Sequence, residues 1–460
     1  MDWSPTFDAA EGPVYEGIVE ALERDISSGR LHRGQRLPTH RALAKALSVD
    51  LTTVTRAYNE ARRRGLTDAR VGQGTFVAES RALPAGPRRE AAGIDVDLSM
   101  NLPPSPIEAD LEGRIMRGLA VLQRDHGFSD LLSYQQAGGS TVDRGIAADW
   151  LRRRVRTAEA DRLVISPGTQ SALMATLLSV TRPGDVVLTD RLTYPGFKSA
   201  AAALGVRLVG VASDGDGMDP EALADACRVH APKAVYLLPT IHNPTTQTIG
   251  QARREQLAAA IRRHDLVLIE DDAYGNLEPK AQPIATLIPE RSYLAMTLSK
   301  CMAPGLRVAH VLTPDRAAAS VVSNALRTVS QMPVPLMVAL VSRWLADGSA
   351  DAIVSAVATE AAARQKLAEK ALSGQSYLAH PKGHHVWLRL PAAWTRAEFA
   401  AHVQRQGFAV VTSDSFSVDG EPEHAIRIAL GAARNRSELV AALDVLVVAL
   451  KSPAYASRIV

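Results

Sequence analysis

Thr297-Leu298-Ser299-Lys300-Cys301-Met302-Ala303-Pro304-Gly305-Leu306-Arg307 sets a lysine in a hydroxyl-rich turn with an arginine seven residues downstream. The spacing suits an amine that condenses with an aldehyde, beside a fixed cation that holds a phosphate on the same molecule. Thr297 and Ser299 offer hydroxyl donors to that phosphate, and Pro304-Gly305 turns the chain so that Arg307 points back. Most lysines are solvated surface charges, and Ser-Lys by itself reads equally well as one of them. The rest of the chain decides between the two.

Short apolar runs surround this stretch: Leu163-Val164-Ile165, Val186-Val187-Leu188, residues 206–211, 234–238, 266–269 and 292–298, with helical stretches between several of them. Apolar runs separated by helices predict an α/β unit with a buried, mostly parallel sheet. Ligands on such a sheet gather at the carboxyl ends of the strands. Ser166-Pro167-Gly168-Thr169-Gln170 follows the first run and opens a helix, where glycine allows close backbone approach and free amides favour a phosphate. An ordinary strand-to-helix turn reads the same way. Tyr194, in Thr193-Tyr194-Pro195-Gly196, either stacks on a planar ring or packs, and Asn243-Pro244 offers an amide donor on a restrained loop or is a plain turn. Glu270-Asp271-Asp272 ends an apolar run and precedes Tyr274. Such acids are costly to bury unless a cation meets them. A pyridinium nitrogen is one such cation and a metal ion is the alternative, although no suitably spaced histidine or cysteine cluster joins the acids.

Residues 15–77 read as three helices and a hairpin. Ile18, Val19, Leu22 and Ile26 recur at helical spacing before Gly29, and Thr39 can cap a helix carrying Leu43, Ala44 and Leu47. After the turn Ser48-Val49-Asp50, Thr52, Thr53, Thr55 and Arg56 lie on the outward face of a third helix, with Val54, Ala57 and Tyr58 facing inward and Gly65 ending it. Two short helices joined by a tight turn present the second to a major groove, where those outward residues meet phosphates and base edges. Residues 69–77 then form a hairpin with Gln73 at its glycine-rich tip. A small helical bundle with a solvated basic face is the competing reading. Residues 79–95, rich in Ala, Pro, Gly and Arg and without hydrophobic period, read as a linker whose Arg81, Arg88 and Arg89 are solvated or touch a partner surface.

Composition narrows the classes. A chain of 460 residues is long for one domain, and 46% hydrophobic with 22% charged residues is a globular make-up. Two distant cysteines, Cys227 and Cys301, argue against a disulfide scaffold and for a reducing cytoplasm. No apolar run reaches membrane-spanning length, so no membrane association is expected. A net charge of +3 does not by itself imply nucleic acid.

Two resemblances settle the alternatives. Leu31, Gly34-Gln35-Arg36-Leu37-Pro38-Thr39-His40-Arg41-Ala42-Leu43-Ala44, Thr53-Val54-Thr55-Arg56-Ala57-Tyr58, Gly65-Leu66 and Gly72-Gln73-Gly74-Thr75-Phe76-Val77 resemble, in order and spacing, the winged helix of the GntR family. That implies DNA binding, with Arg41 and the start of the third helix near DNA and the wing tip in the minor groove. Asp50 and Leu51 depart from the polar or basic residues that many relatives carry there. From about Asp97 onward, the motifs above resemble fold-type I pyridoxal phosphate enzymes, specifically class I aminotransferases, with a smaller C-terminal α/β subdomain. By that resemblance Lys300 forms the Schiff base and Asp271 pairs with the pyridine nitrogen, while Asn243 and Tyr274 bond the ring oxygen and Tyr194 stacks on the ring. Gly168, Thr169, Gln170, Thr297 and Arg307 would hold the phosphate, Tyr134 would reach the phosphate of the neighbouring subunit, and Arg427 would grip a substrate carboxylate. Without the family, Arg427 reads as a strand residue facing solvent. Ala309 and His310 depart from the glycine and aromatic of the pattern, and residues 140–144 are irregular for theirs.

Together these resemble the MocR/GabR regulators: a winged helix over residues 12–78, a linker over 79–95 and an aminotransferase-like domain over 96–460. The resemblance implies a cytoplasmic transcription factor, dimeric and head-to-tail, that binds DNA at two half-sites and senses an amino compound through an external aldimine. A functional aminotransferase with a DNA-binding head, and a regulator of which pyridoxal phosphate is itself the effector, remain open beside it. So does partial transaminase activity.

Overall fold

The computed structural model describes residues 3–6, 13–27, 30–32, 34–64, 66–70, 74–78 and 96–451. Gly29, Gly65, Gln73 and the whole stretch 79–95, with Arg81, Arg88 and Arg89, lie outside them. Two compact units divide the chain, Met1–Ala91 and Ala92–Val460.

In the first unit, helix Val14–Ser27 buries Ile18, Val19 and Leu22 against Leu43, Val54, Ala57 and Tyr58. Thr39 caps helix His40–Leu47 by accepting from the Ala42 amide at 3.2 Å. Asp50 caps helix Leu51–Arg63 by accepting from the Thr52 amide at 2.7 Å. Each such cap contributes about 1 kcal/mol to helices too short to persist alone. Between the helices Ser48 sits in the left-handed region (φ 54°), which makes the turn tight. Tyr58 buries its ring and donates its hydroxyl to the Pro38 carbonyl at 2.9 Å, tying the third helix to the chain just ahead of the second. Strands Thr67–Arg70 and Gly74–Val77 pair antiparallel from Thr67 opposite Val77 to Arg70 opposite Gly74. The hairpin thus starts two residues before the stretch expected from its glycines.

The second unit is built on a seven-stranded sheet in the spatial order Leu163–Ser166, Ala309–Leu312, Ser292–Thr297, Val267–Asp271, Ala234–Leu237, Val186–Asp190, Arg207–Val211. Neighbours pair parallel except Ala309–Leu312, which runs against both of its neighbours. The six expected strands are present, with ends shifted by a residue or two. Ala309–Leu312 was not among them: it is four residues long, and it carries His310, which breaks an apolar run. Burial holds the His310 imidazole down to about 4, so it enters the sheet neutral. The irregular residues 140–144 turn out to be a capped helix start, Ser140 accepting from the Asp143 amide ahead of Thr141–Leu151.

A second, smaller sheet is antiparallel throughout, in the order Tyr377–Ala379, His385–Arg389, Ala425–Ala429, Val411–Thr412. Its core joins Leu388, Ile426 and Ile428 to helix Arg436–Lys451 and to Val96 and Leu98, the first described residues after the linker. Among the described residues no helix is long and apolar enough to cross a membrane, and both cysteines are free.

Candidate cofactor site and DNA-binding head

The carboxyl ends of the large sheet open on a cavity whose lining brings together Lys300, Thr297, Arg307, Thr169, Gln170 and Tyr194, along with Asn243 and Tyr274. One end is made for an anion. Gly168 has φ 89°, and a Cβ there would stand 2.6 Å from the Arg307 guanidinium carbon, so only glycine lets the arginine cross it. Helix Thr169–Val180 starts without a side-chain cap, which leaves its first amides to a ligand. Arg307, itself left-handed (φ 51°), donates to the Pro167 carbonyl at 2.8 Å, and this pins it over that helix start. Thr297 is buried at the end of its strand and accepts from the Ser299 amide at 3.1 Å. Gln170 donates to the Gly196 carbonyl at 2.8 Å and accepts from the Tyr194 hydroxyl at 3.4 Å.

Asp271 ends strand Val267–Asp271 and is itself buried. One of its carboxylate oxygens accepts from the Tyr236 hydroxyl at 2.9 Å, and the other is buried with no partner among the described residues. Burial raises this carboxyl to about 7, with Tyr236 opposing the shift. Its neighbours face elsewhere. Glu270 accepts from the Ile284 and Ala285 amides, at 3.1 and 2.7 Å, and Asp272 forms a buried fork with Arg154. The three acids therefore do not converge as a metal set would, and among the described residues no cluster of three such ligands exists.

Lys300 follows the edge of the sheet. Burial lowers its amine to about 8, helped by Arg427 and opposed by Asp271. Its Nζ donates to the Asn101 carbonyl at 2.6 Å. Asn101 in turn donates its side-chain amide to the Tyr274 hydroxyl at 2.6 Å. The Lys300 carbonyl lies 2.6 Å from Nε2 of His384, which burial keeps neutral with a value of about 4. Tyr236, Asn101 and His384 carried no signal in the sequence. Tyr236 is one apolar-looking position of a buried strand, and the other two sit in stretches without a motif.

Arg427 lies in the fully buried strand Ala425–Ala429 and is 6% exposed, not facing solvent. Its guanidinium donates to Asn243 Oδ1 at 2.8 Å and to the Ser99 carbonyl at 2.5 Å, and it stands 5.0 Å from the Phe416 ring. The Nε hydrogen has no acceptor among the described residues. Among the described residues no carboxylate pairs with it, and burial lowers it to about 10. Tyr134 is outside this cavity, 83% exposed on the chain ahead of Thr141–Leu151.

On the DNA-binding head, Arg41, Thr52 and Arg56 are exposed, while Thr53 and Thr55 are half-buried. The Thr52 hydroxyl donates to Asp50, and that of Thr55 donates to the Leu51 carbonyl at 2.9 Å while its oxygen lies 3.2 Å from Nδ1 of His40, so of the two only Thr52 is left as an outward acceptor. Arg56 lies 3.9 Å over the Tyr15 ring, held flat against the first helix. Gln73 falls outside the described residues.

Comparisons with known proteins agree with this layout. Residues 14–77 match the gntR family of bacterial regulatory proteins, and residues 114–446 match aminotransferase class I and II. The chain is 31% identical to the HTH-type transcriptional regulator YdeF of Bacillus subtilis, covering 97% of this chain and 96% of that one. It is 27% identical to the vitamin B6 salvage pathway transcriptional repressor PtsJ of Salmonella typhimurium, over 91% and 95%. Among solved structures, the α-aminoadipate aminotransferase LysN of Thermus thermophilus superposes with a TM-score of 0.71 at 23% identity, over 78% and 92% of the two chains. Kynurenine aminotransferase of Pyrococcus horikoshii gives 0.72 at 21%, over 79% and 92%. These two share the fold.

Family and fold imply pyridoxal phosphate, and the residues present fit it. Asp271 has a buried bare oxygen for a cationic ring nitrogen, Gly168 and Arg307 form a cradle that a Cβ would fill, and Lys300, its amine lowered, lines the same cavity as Arg307. A DNA-binding head of gntR type and an aminotransferase class I and II domain lie in one chain, which belongs to the MocR/GabR-type transcriptional regulators.

Proposed function

We propose that this DNA-binding regulator uses pyridoxal phosphate, held on Lys300, to sense a small amino compound that carries a carboxylate. The observation that carries the reading is a pair of cations: a half-buried lysine whose amine is lowered to about 8, and the buried Arg427, which no acid meets among the described residues. A bound aldehyde of this kind condenses with primary amines, and its ring, kept protonated, draws electrons. Around it Asp271 would hold the ring nitrogen's proton, Tyr194 the ring face, and Asn243 and Tyr274 the ring oxygen. Gly168, Thr169, Gln170, Thr297 and Arg307 would hold the phosphate. Arg427 would meet the effector's carboxylate, its bare Nε hydrogen completing a two-pronged grip.

On the head, Arg41, Arg56, Thr52, Thr53, Thr55 and the wing residue Gln73 would contact operator DNA, phosphates first. A homodimer, in which Tyr134 reaches the partner's phosphate, would bring two heads to two half-sites, head-to-tail and in the cytoplasm. Domain limits of 12–78, 79–95 and 96–460 suit this division of labour. Two observations favour neighbouring readings. The complete cofactor set suits a functional aminotransferase, and the likeness to PtsJ suits a sensor of pyridoxal phosphate itself. Titrating the purified protein with amino compounds while following its visible absorbance and DNA affinity separates them. Under the reading preferred here, one class of amine changes both.

A further inference from the structure

We propose that residues 99–101 are the element through which occupancy at Lys300 and Arg427 is passed to the chain leading to the DNA-binding head. This rests on the reading above, that an amine bearing a carboxylate is the ligand. Both cations that would handle such a ligand are tied to carbonyls of this one segment. Lys300 Nζ donates to the Asn101 carbonyl at 2.6 Å, and Arg427 Nη2 donates to the Ser99 carbonyl at 2.5 Å. The segment is also seated against the cavity wall, since the Asn101 side chain donates to the Tyr274 hydroxyl and the Ala429 amide donates to the Leu98 carbonyl at 2.9 Å. Upstream there are only Val96, Asp97 and Leu98 before the linker 79–95 begins.

Ligand chemistry acts on the two ties differently. An Nζ joined to an aldehyde carbon carries at most one hydrogen, whereas a free lysine ammonium carries three. When an incoming amine takes its place, a C=N bond forms to the incoming nitrogen and the C=N bond to Nζ breaks. The two hydrogens of the incoming amine end on Nζ, which is then free to donate to Asn101. At the other tie, a carboxylate arriving on the Arg427 fork takes the bare Nε hydrogen and competes with the Ser99 carbonyl for Nη2. One tie is made and its neighbour, two residues away, is weakened. A ligand that changes the segment's bonding in this way has differential affinity for its two arrangements, which coupling to DNA requires.

The test uses the cofactor-loaded full chain and two probes: aminooxyacetate, with a reactive amine and a carboxylate, and hydroxylamine, with the amine alone. DNA is a duplex selected from a random pool by the probe-free protein. Aminooxyacetate is expected to remove the lysine-bound absorbance and to change amide hydrogen exchange in residues 98–102 and DNA affinity by about fivefold or more. Hydroxylamine gives the same absorbance change with a smaller exchange response. A Gly-Ser-Gly insertion between Asp95 and Val96 keeps the absorbance and exchange changes, but its DNA response falls to about twofold or less. Absorbance change without any exchange change in residues 98–102 overturns the proposal, whatever the insertion variant does. So do equal responses to the two probes, or a full DNA response in the insertion variant. No absorbance change with either probe overturns the amine-binding reading itself, and this proposal with it.

Discussion

Tyr236 donates its hydroxyl to one carboxylate oxygen of Asp271 at 2.9 Å and leaves the other oxygen, equally buried, without a partner. A half-satisfied carboxyl in an apolar strand is a standing cost to the cofactor-free fold. Its value is raised from the ordinary 3.8 to about 7, so its contribution to stability is complete below 3.8 and is lost as pH rises through about 7. A protonated ring nitrogen on the bare oxygen reverses that loss. The gain in melting temperature on adding pyridoxal phosphate is therefore expected to be larger at pH 8 than at pH about 5. In Asp271→Asn this pH dependence should vanish, and a dependence equal to that of the wild type in a melting series would remove Asp271 from the ring.

Tyr236→Phe tests the same contact from the other side. The hydroxyl holds the Asp271 carboxyl down, so without it the carboxyl stays protonated to higher pH and cofactor affinity near neutral pH should fall. Equilibrium dialysis reads this directly, and an unchanged affinity would show that Tyr236 only packs.

Lys300→Ala should abolish the visible absorbance of the bound cofactor. In the wild type, the amine lowered to about 8 means that reconstitution speeds up with pH below 8 and levels off above it. A stopped-flow rate that kept climbing to pH about 10 would be that of an ordinary surface lysine.

Arg427→Ala should spare cofactor binding and weaken carboxylate-bearing amines by about thirtyfold or more, the lower end of what truncating a buried charged contact costs. Arg427→Lys should restore little, because a point charge cannot reproduce the fork. An unaltered response to the carboxylate amines would point to a ligand without that group.

On DNA, Arg41→Ala and Arg56→Ala should each lower affinity and flatten the salt dependence by about 0.9 in log–log slope, one phosphate contact apiece. Filter binding across a salt series measures it. A slope that does not move would place the contact surface elsewhere on the head.

Much of this was legible in the sequence because it rests on spacing. The strand-to-helix turn at Gly168, the acids ending a strand at Asp271 and the lysine-to-arginine interval from Lys300 to Arg307 are local patterns, and their strands run the same way in one sheet, which brings them to one edge. The strand Ala309–Leu312 was hidden because a buried neutral histidine interrupts its apolar run. Tyr236, Asn101 and His384 were hidden for another reason. Their roles are fixed by partners 35, 199 and 84 residues away along the chain. Arg427 shows the limit from the other direction, since alternation around it suggested a solvent face while the small sheet buries all five positions of its strand.

The most direct measurement is the visible absorbance of the cofactor-loaded protein titrated with a panel of amino compounds, with and without a keto acid. A shift with one class of carboxylate-bearing amine, accompanied by altered DNA affinity and no lasting turnover, is the predicted result. Sustained conversion of the amine, or a protein that shows no lysine-bound absorbance even with added pyridoxal phosphate, would contradict it.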